Sequence, residues 1–320
     1  MSSEFPEFDH EAIANLAKRL YGIEGEVSSL DSFEDQNARI RTSGGSYVLK
    51  IANKRWTRDE LELQTHALEH LATTAPDIIC PRVVATKTGA AITVVDGYVV
   101  RLLTYLEGRI LGSAARSLEL NHDIGRFMGR FAEAMQSFAH PGVERPNDPW
   151  NLDKVLACRV HLEDVSDEED RRRIERFYDR YRAVSPKLRH LRKSVIHADA
   201  NENNFLVAAD RPAKIIGIID FGDLQLATHI NDLAITLAYA LLGEDDIESA
   251  ARQIIQGYTE VFALERGELE VLFDLMAMRL VQSVILSSHS AKGRPDNNYI
   301  LSSRAPALIL LEKLEHHEWR

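Results

Sequence analysis

The sequence predicts an α+β protein with a small N-terminal part built on an antiparallel sheet and a larger, mostly helical C-terminal part. Five short β-prone runs separated by turn residues lie between residues 25 and 103. Helical periodicity dominates after Glu107-Gly108. Within the helical part, one stretch over 194–219 has a hairpin pattern instead. The change of pattern places the boundary near Tyr105, so we expect domains over 1–104 and 105–320.

The N-terminal part is predicted to hold one helix, then a five-stranded antiparallel sheet with a further helix inside it. Apolar residues at helical spacing predict a helix over 9–21. Gly22 follows it and is predicted as the C-cap, because glycine adopts the left-handed conformation there at little cost. Asp96-Gly97, between two β-prone runs, is a strong hairpin signal. The predicted strands are 25–30, 37–42, 46–51, 91–95 and 98–103, and the second helix is 58–71.

The C-terminal part is predicted to be helical apart from short strands near its middle. Residues 194–196 form a β-prone run, and the apolar runs 205–207 and 214–219 predict a hairpin around the turn Asp210-Arg211-Pro212. The predicted helices are 120–138, 151–163, 167–190, 229–242, 247–262, 266–290 and 302–318.

The motif His197-Ala-Asp199-Ala-Asn-Glu-Asn-Asn204, followed by Asp220-Phe-Gly-Asp223, indicates phosphoryl transfer. Protein kinases have a catalytic loop of His-Arg-Asp, four residues and Asn, with a later Asp-Phe-Gly whose Asp holds magnesium. Both spacings are met in this sequence. An isolated Asp-Phe-Gly or a cluster of Asp and Asn is common in solvated turns, but the joint occurrence favours a catalytic site.

The chemistry of phosphoryl transfer explains why these residue types are needed. The protein supplies positioning and charge neutralisation, with little covalent work. Asp199 is predicted to orient the acceptor hydroxyl and take its proton. Asn204 and Asp220 offer oxygen ligands of the kind that Mg²⁺ prefers. Because a hairpin brings its two ends together, we expect these two ligands to lie side by side.

A single lysine, Lys50, stands in an otherwise apolar predicted strand. An ammonium in apolar surroundings needs an anion, so we expect Lys50 to contact the α and β phosphates of a nucleotide. The alternative is that Lys50 lies on an edge strand and discourages aggregation. In kinases a helical glutamate pairs with this lysine. Helical spacing puts Gln64 at that position, and Glu60 or Glu62 could take the role from an adjacent turn.

The phosphate-binding loop also departs from the protein-kinase pattern. No Gly-x-Gly-x-x-Gly lies between the first two predicted strands, where Ser32-Phe-Glu-Asp-Gln-Asn37 stands instead. Backbone amides of that turn and the Ser32 hydroxyl could still bind the phosphates. There is no Ala-Pro-Glu segment after Asp223 either, so the sequence argues against a protein kinase.

Composition limits the class of partner. The 320 residues are 45% hydrophobic and 27% charged, which are ordinary globular values. The net charge of −11 argues against nucleic acid and is compatible with a cationic small substrate. Cys80 and Cys158 lie too far apart for a metal-ligand spacing. No signal peptide or membrane-spanning stretch is predicted, so we expect a cytoplasmic protein with no membrane partner.

These residues resemble the aminoglycoside phosphotransferase and choline kinase superfamily, which has a bilobal protein-kinase-like fold. Within it, four segments look most like the hydroxylysine kinases: Tyr47-Val-Leu-Lys-Ile-Ala-Asn53, Val100-Arg-Leu-Leu-Thr-Tyr-Leu-Glu-Gly-Arg109, Trp150-Asn-Leu152 and Asp220-Phe-Gly-Asp223. The superfamily loop commonly has His-Gly-Asp, and Ala198 stands here in place of the glycine.

The resemblance implies a small-molecule kinase that transfers a γ-phosphate to a hydroxyl of a small, amine-bearing metabolite. It implies Mg²⁺ as cofactor and leaves ATP and GTP both open as donor. The nucleotide base is expected against the backbone of Leu103, Thr104 and Tyr105. His197 is expected to brace the catalytic loop. The candidates to line the acceptor pocket are Asp223, Arg279 and Gln282.

Three alternatives stay open at this point. The enzyme could phosphorylate an aminoglycoside-type antibiotic, although the C-terminal Glu315-His-His-Glu-Trp-Arg320 lacks the strong acidity usual in those relatives. It could act on homoserine or choline. It could also be a non-catalytic, pseudokinase-like module that binds nucleotide, against which the presence of Lys50, Asp199, Asn204 and Asp220 argues. The acceptor and the oligomeric state do not follow from the sequence.

Overall fold

The computed structural model describes residues 5–30, 32, 35–145, 147–211, 213–293, 303–317 and 319. The chain divides into two compact units. The first consists of residues 1–108 with 140–142, and the second of 109–139 with 143–320.

The first unit contains a six-stranded antiparallel sheet. Its strands follow the order β1-β2-β3-β6-β4, and β5 pairs with β6 beside this path. Asp96 and Gly97 both have positive φ, 51° and 81°, as the two-residue turn between β5 and β6 requires. The strands are β1 Glu26–Leu30, β2 Gln36–Thr42, β3 Gly45–Ile51, β4 Val83–Val84, β5 Thr93–Val95 and β6 Tyr98–Thr104.

The sheet has one strand more than the five that the sequence predicts. The additional strand, β4, pairs Val83 with Leu103 and Val84 with Leu102. Two residues are too few to show the alternation by which a strand is recognised in a sequence. Residues 31, 33 and 34 of the predicted turn between β1 and β2 lie outside the described residues.

Local signals set the helix ends in the first unit. Asp9 caps α1 (His10–Tyr21) by accepting from Ala12 N, and Gly22 closes the helix at φ 73° as predicted. Thr57 and Glu60 form a capping box at the start of α2 (Arg58–Thr74). α1 packs on one face of the sheet through Ile13 and its neighbours.

The second unit is mostly helical. Its predicted 266–290 helix is instead two helices. Glu268 in the first of them forms a capping box with Glu265, and its buried carboxylate binds Arg192 at 2.7 Å. The 151–163 helix is a 3-10 segment that is kinked at Lys154. The helices are α3 Leu118–Met135, α4 Glu168–Leu188, α5 Asn231–Ala240, α6 Ile247–Thr259, α7 Arg266–Leu269, α8 Leu272–Gly293 and α9 Arg304–Glu315, with 3-10 segments Leu111–Ser113 and Leu152–Asp164. A further 3-10 segment, Pro141–Val143, belongs mostly to the first unit.

Glycines allow α3 and α6 to pack with their backbones in contact. A Cβ atom at Gly125 would lie 1.9 Å from the carbonyl oxygen of Ile254. A Cβ atom at Gly257 would lie 2.0 Å from the carbonyl oxygen of His122. Both distances are far below van der Waals contact, so the helices can cross at this separation only with glycine at these positions.

Short strands hold the loops that carry the sequence motif. They form one sheet of order β10-β9-β7 and one antiparallel pair of β11 with β8. The strands are β7 Arg109–Ile110, β8 Lys193–Ile196, β9 Phe205–Val207, β10 Ile215–Ile218 and β11 Gln225–Thr228. Pro212 of the predicted turn lies outside the described residues. Throughout the described part of the chain, every helix is too short or too polar to cross a bilayer.

Candidate catalytic site

The predicted hairpin of β9 and β10 forms, and it places Asn204 beside Asp220. Phe205 pairs with Ile218 in the antiparallel register. One residue beyond this pair, Ile219 N donates to the carbonyl oxygen of Asn204 at 2.9 Å. Asn204 therefore directly precedes one strand, and Asp220 lies two residues after the other, at the same end of the hairpin.

His197 is a buried, neutral side chain that supports the catalytic loop. Its ring is fully buried, and burial lowers its pKa to about 4. Nδ1 accepts from Asp199 N at 3.3 Å, so Nε2 carries the proton and donates to the carbonyl oxygen of Ile219 at 3.1 Å. The ring packs edge-on against Phe221 at 5.1 Å. His197 thus ties the loop before Asp199 to the segment that carries Asp220.

Asp232, on α5, fixes the two peptides that precede Asp199. Its Oδ2 accepts from His197 N at 3.1 Å and its Oδ1 from Ala198 N at 3.0 Å. The carboxylate is 3% exposed, and burial raises its pKa to about 6 against the lowering effect of these two bonds. Ala198 has a φ of 64°, a left-handed conformation that disfavours any residue with a Cβ.

Asp199, the predicted base, is held by three side chains. Its Oδ2 accepts from Asn201 Nδ2 at 2.9 Å and from Asn204 Nδ2 at 2.8 Å. Its Oδ1 accepts from Arg279 Nη2 at 3.1 Å. Burial raises the pKa of Asp199 to about 6, while Arg279 lowers it. The side chain keeps 22% of its surface exposed, so a substrate hydroxyl can reach it.

Arg279, on α8, is a buried cation between Asp199 and two aromatic rings. It is 2% exposed. Its guanidinium lies 4.9 Å from the centre of the Trp150 ring and 5.5 Å from that of the Tyr239 ring. Its Nη1 also donates to the carbonyl oxygen of Trp150 at 3.3 Å. One turn later, Gln282 is fully buried and donates to the carbonyl oxygen of Pro149 at 2.9 Å.

Asp223 belongs to a cluster of carboxylates that interact with one another. Its pKa rises to about 7, first because of burial and then because Asp199 and Asp148 are negative. Arg145 Nη1 lies 3.9 Å from Asp223 Oδ1, 3.4 Å from Asp148 Oδ2 and 2.8 Å from the carbonyl oxygen of Gly222. Asp223 is one-third exposed, whereas Asp148 is almost fully buried.

Asn204 and Asp220 present the atoms that a magnesium site needs. The Asn204 amide nitrogen makes both bonds to Asp199, so its carbonyl oxygen is the atom left for a cation. Asp220 is exposed, has a φ of 59° and accepts from Gly222 N at 3.2 Å through Oδ1. One amide oxygen and one carboxylate on adjacent backbone are the hard oxygen ligands that fit Mg²⁺.

In the first unit, each candidate partner of Lys50 binds at least one further side chain. Lys50 lies on β3, in register with Asn37 on β2 and Arg101 on β6. Gln64 Oε1 accepts from Arg101 Nη2 at 2.9 Å, and both side chains are buried. The two alternatives also have local partners: Glu60 completes the capping box with Thr57, and Glu62 binds Arg58 at 2.7 Å.

The segment expected to contact the nucleotide base has two amides bound within the protein. Thr104 N donates to the carbonyl oxygen of Arg82 at 2.8 Å, and Tyr105 N donates to that of Ser46 at 2.9 Å. Leu103 lies in β6 between β3 and β4. Ser32 is partly buried.

Sequence reasoning missed Asp232, Arg145 and Asp148. Asp232 is in the run His229-Ile-Asn-Asp232 just after the motif, where a helix was predicted. An acidic residue in an otherwise apolar helix is the signal that could have identified it, because a buried carboxylate needs donors. Arg145 and Asp148 lie in an irregular segment, and no periodicity marks them.

Residues 26–269 of this chain match the phosphotransferase enzyme family. The chain is 28% identical over 327 residues to the hydroxylysine kinase of Mus musculus, covering 94% of this chain and 87% of that protein. It is 27% identical over 272 residues to the homoserine kinase of Zymomonas mobilis, covering 82% of this chain and 80% of that protein.

The solved structures that are similar to this one include two small-molecule kinases. The amicoumacin kinase hAmiN in complex with AMP-PNP, Ca²⁺ and Ami gives a TM-score of 0.72 at 18% identity, over 96% of this chain and 94% of that chain. A microcompartment-associated aminopropanol kinase gives a TM-score of 0.69 at 17% identity, over 95% and 97%. These likenesses confirm the predicted protein-kinase-like fold.

Proposed function

We propose that this chain, which belongs to the phosphotransferase enzyme family and is a small-molecule kinase, phosphorylates a hydroxyl of a small amine-bearing metabolite of the hydroxylysine type. The observation that carries the proposal is the arrangement around Asp199. Asn204 and Arg279 hold this carboxylate in one orientation, and the hairpin of β9 and β10 places Asn204 next to Asp220.

Asp199 acts as the base. It accepts the proton of the substrate hydroxyl as the oxygen attacks the γ-phosphate. Its partly exposed Oδ2 and Oδ1 are oriented by Asn201, Asn204 and Arg279, so the carboxylate needs no reorientation when the substrate binds. A pKa of about 6 leaves it ionised, and therefore competent, at neutral pH.

Asn204 and Asp220 would hold Mg²⁺, which would supply positive charge to neutralise the nucleotide phosphates. His197 supports Asp220, because its ring donates to the carbonyl oxygen of the preceding Ile219, and Asp232 fixes the peptides ahead of Asp199, to which Asn204 is bonded. The proposal includes both ATP and GTP as donors of the phosphate.

For the nucleotide, we propose that the Lys50 ammonium contacts the phosphates and that the Ser32 hydroxyl donates a hydrogen bond to them. Gln64 acts indirectly, because its bond to Arg101 fixes α2 on the sheet beside the strand of Lys50. Since the amides of Thr104 and Tyr105 donate within the protein, base recognition in the 103–105 segment would use carbonyl oxygens and side chains. The division into a nucleotide-binding part, 1–104, and a catalytic part, 105–320, remains a prediction.

For the acceptor, the charges of the second unit favour an amine. Burial and the charges of Asp199, Asp148 and Asp220 disfavour the ionised form of Asp223, and Arg145 opposes them from 3.9 Å. Asp223 is one-third exposed, so a positive charge on the substrate could approach it and stabilise that form. An ammonium of the substrate would supply this charge. Arg279 and Gln282 line this region from α8 but are buried, so they position other groups.

The test is a coupled assay of ADP or GDP release with purified protein, Mg²⁺ and either ATP or GTP. The acceptors are 5-hydroxylysine, homoserine, choline, ethanolamine and kanamycin. We expect selective release with hydroxylysine, and Asp199→Asn should reduce kcat about 10²- to 10⁴-fold. Asp210→Asn is the matched control, because that carboxylate is 82% exposed in the β9–β10 turn.

Other outcomes assign the protein differently. Turnover of homoserine or choline would keep the mechanism and replace the substrate, and turnover of kanamycin would favour the antibiotic alternative. Tight nucleotide binding with no turnover of any acceptor would reject the enzyme in favour of a nucleotide-binding module. Wild-type turnover by Asp199→Asn would reject the proposed base.

A further inference from the structure

A second group of ligand-type side chains lies away from the catalytic residues, at the end of the Leu152–Asp164 segment. His161 and Asp164 are one turn apart in that segment, and His289 lies on α8. One ligand atom of each residue lies within 4.8 Å of the other two. Asp164 Oδ2 is 2.6 Å from His289 Nδ1 and 3.9 Å from His161 Nδ1. Two separate elements thus direct three ligand atoms at one point.

We propose that His161, Asp164 and His289 form a binding site for a divalent transition-metal ion of the Zn²⁺ type. Two imidazole nitrogens and one carboxylate oxygen are the ligand set of open zinc sites, whereas Mg²⁺ prefers oxygen alone. Ligands 2.0–2.1 Å from a tetrahedral ion lie about 3.3 Å apart. The distances of 2.6 and 3.9 Å bracket that value, so small side-chain rotations suffice.

The side chains leave room for an ion and its fourth ligand. The two imidazole rings stack at 3.7 Å with an angle of 29° between their planes, so they must tilt apart to share an ion. Their exposure, 34% for His161 and 49% for His289, permits this movement and admits water. Lys292 binds Asp164 Oδ1 at 2.5 Å and leaves Oδ2 to the imidazoles.

This site is distinct from the catalytic one. Arg279, which contacts Asp199, lies ten residues before His289 on α8, about 15 Å along the helix axis. The bound ion would fasten the end of the Leu152–Asp164 segment to α8. α8 also contacts the chain just before that segment, where Arg279 donates to the Trp150 carbonyl oxygen.

The test is titration of the tag-free, chelator-treated full chain with ZnCl₂ by calorimetry, in a buffer that does not bind metals. We expect one equivalent of Zn²⁺ to bind, to persist in millimolar Mg²⁺ and to raise Tm. Loss of a residue that only supports a ligand costs 10- to 100-fold in affinity, so His161→Asn and His289→Asn should each weaken binding about 10-fold or more. His190→Asn, an exposed histidine elsewhere, is the matched control and should bind as the wild type.

Lys292→Gln gives an independent readout that a misfolded variant cannot mimic. Removing this cation from Asp164 should tighten Zn²⁺ binding, because the ion no longer approaches a neighbouring positive charge. Unchanged Zn²⁺ affinity in both His161→Asn and His289→Asn would overturn the proposal, as would displacement by millimolar Mg²⁺. The phosphotransferase assay is not part of this test, so the metal site and the proposed function can fail separately.

Discussion

Arg279 Nη2 donates to Asp199 Oδ1 at 3.1 Å, although the two residues are 80 apart in the chain. The arginine is buried and the aspartate is partly exposed. The proposed base is therefore oriented from α8, by a cation that also lowers its pKa. Both orientation and protonation of Asp199 depend on this contact.

Replacing Arg279 should impair catalysis and shift its pH dependence. Arg279→Gln removes the charge that stabilises ionised Asp199, so the acid limb of kcat should move to higher pH. Misplacement of the carboxylate should lower kcat at neutral pH about 10- to 100-fold. The measurement is kcat from pH 5.5 to 8.5. Arg279→Lys keeps the charge and should restore most of the pH profile; an unmoved profile in Arg279→Gln would contradict this role.

Ala198→Gly should preserve or raise stability, unlike an ordinary loss of a methyl group. A left-handed residue with a Cβ costs about 1–2 kcal/mol relative to glycine, and Ala198 has a φ of 64°. The greater freedom of glycine in the unfolded chain offsets about 0.4–1 kcal/mol of that gain. Urea unfolding measures the balance. Ala200→Gly, at a fully buried residue without positive φ in the same loop, should destabilise. Equal destabilisation by both variants would refute the strain at Ala198.

Gly125→Ala should destabilise the second unit strongly. The new methyl would lie 1.9 Å from the Ile254 carbonyl oxygen, and backbone cannot move aside as a flexible side chain can. We expect a loss of about 3 kcal/mol or more in the free energy of unfolding. Gly293→Ala is the control, since nothing lies within 4 Å of its added Cβ, and it should change stability by about 0.5 kcal/mol at most. A near-neutral Gly125→Ala would mean that α3 and α6 are farther apart.

Acidification should destabilise the protein through His229, which is buried away from the catalytic loop. Burial, with a further contribution from Arg192, lowers the pKa of His229 to about 4, below its value in the unfolded chain. Because the folded state favours the neutral ring, this group costs stability as pH falls below about 6.5, and the full cost is reached near pH 4. We expect this loss in the free energy of unfolding to be about 2 kcal/mol at pH 5.

The variant His229→Gln should lower this pH dependence. Its amide can still meet Ser194 Oγ and Tyr258 OH, the partners of the two ring nitrogens. Urea unfolding at pH 7.5 and pH 5 gives the difference for each protein. If the free energy of unfolding falls equally in the wild type and the variant between pH 7.5 and pH 5, then protonation of His229 does not cause the destabilisation.

Features decided by neighbouring residues were predictable from the sequence. Gly22 as a cap, Asp96-Gly97 as a turn and the hairpin between Asn204 and Asp220 each depend on a few adjacent residues. Contacts between distant segments were not. Asp232 binds peptides 34 and 35 residues away, and nothing in its local sequence specifies them.

The same limit applies to Gln64, whose pairing with Lys50 stays a prediction. Helical spacing placed Gln64 at the position expected for that partner, and the structure buries its side chain. Spacing could not show that Arg101, on the adjacent strand, would supply the donor to its amide oxygen. The strand β4 was missed for a related reason, because its pairing with the distant strand β6 defines it.

Asp232 has a consequence for how this enzyme can change during evolution. The helix that carries it is buried along its whole length and fixes the peptides ahead of Asp199 through two hydrogen bonds. Substitutions in the acceptor-binding region leave this support intact. Substrate range can therefore diverge while the reaction is kept, whereas repacking around α5 would alter turnover with every acceptor alike.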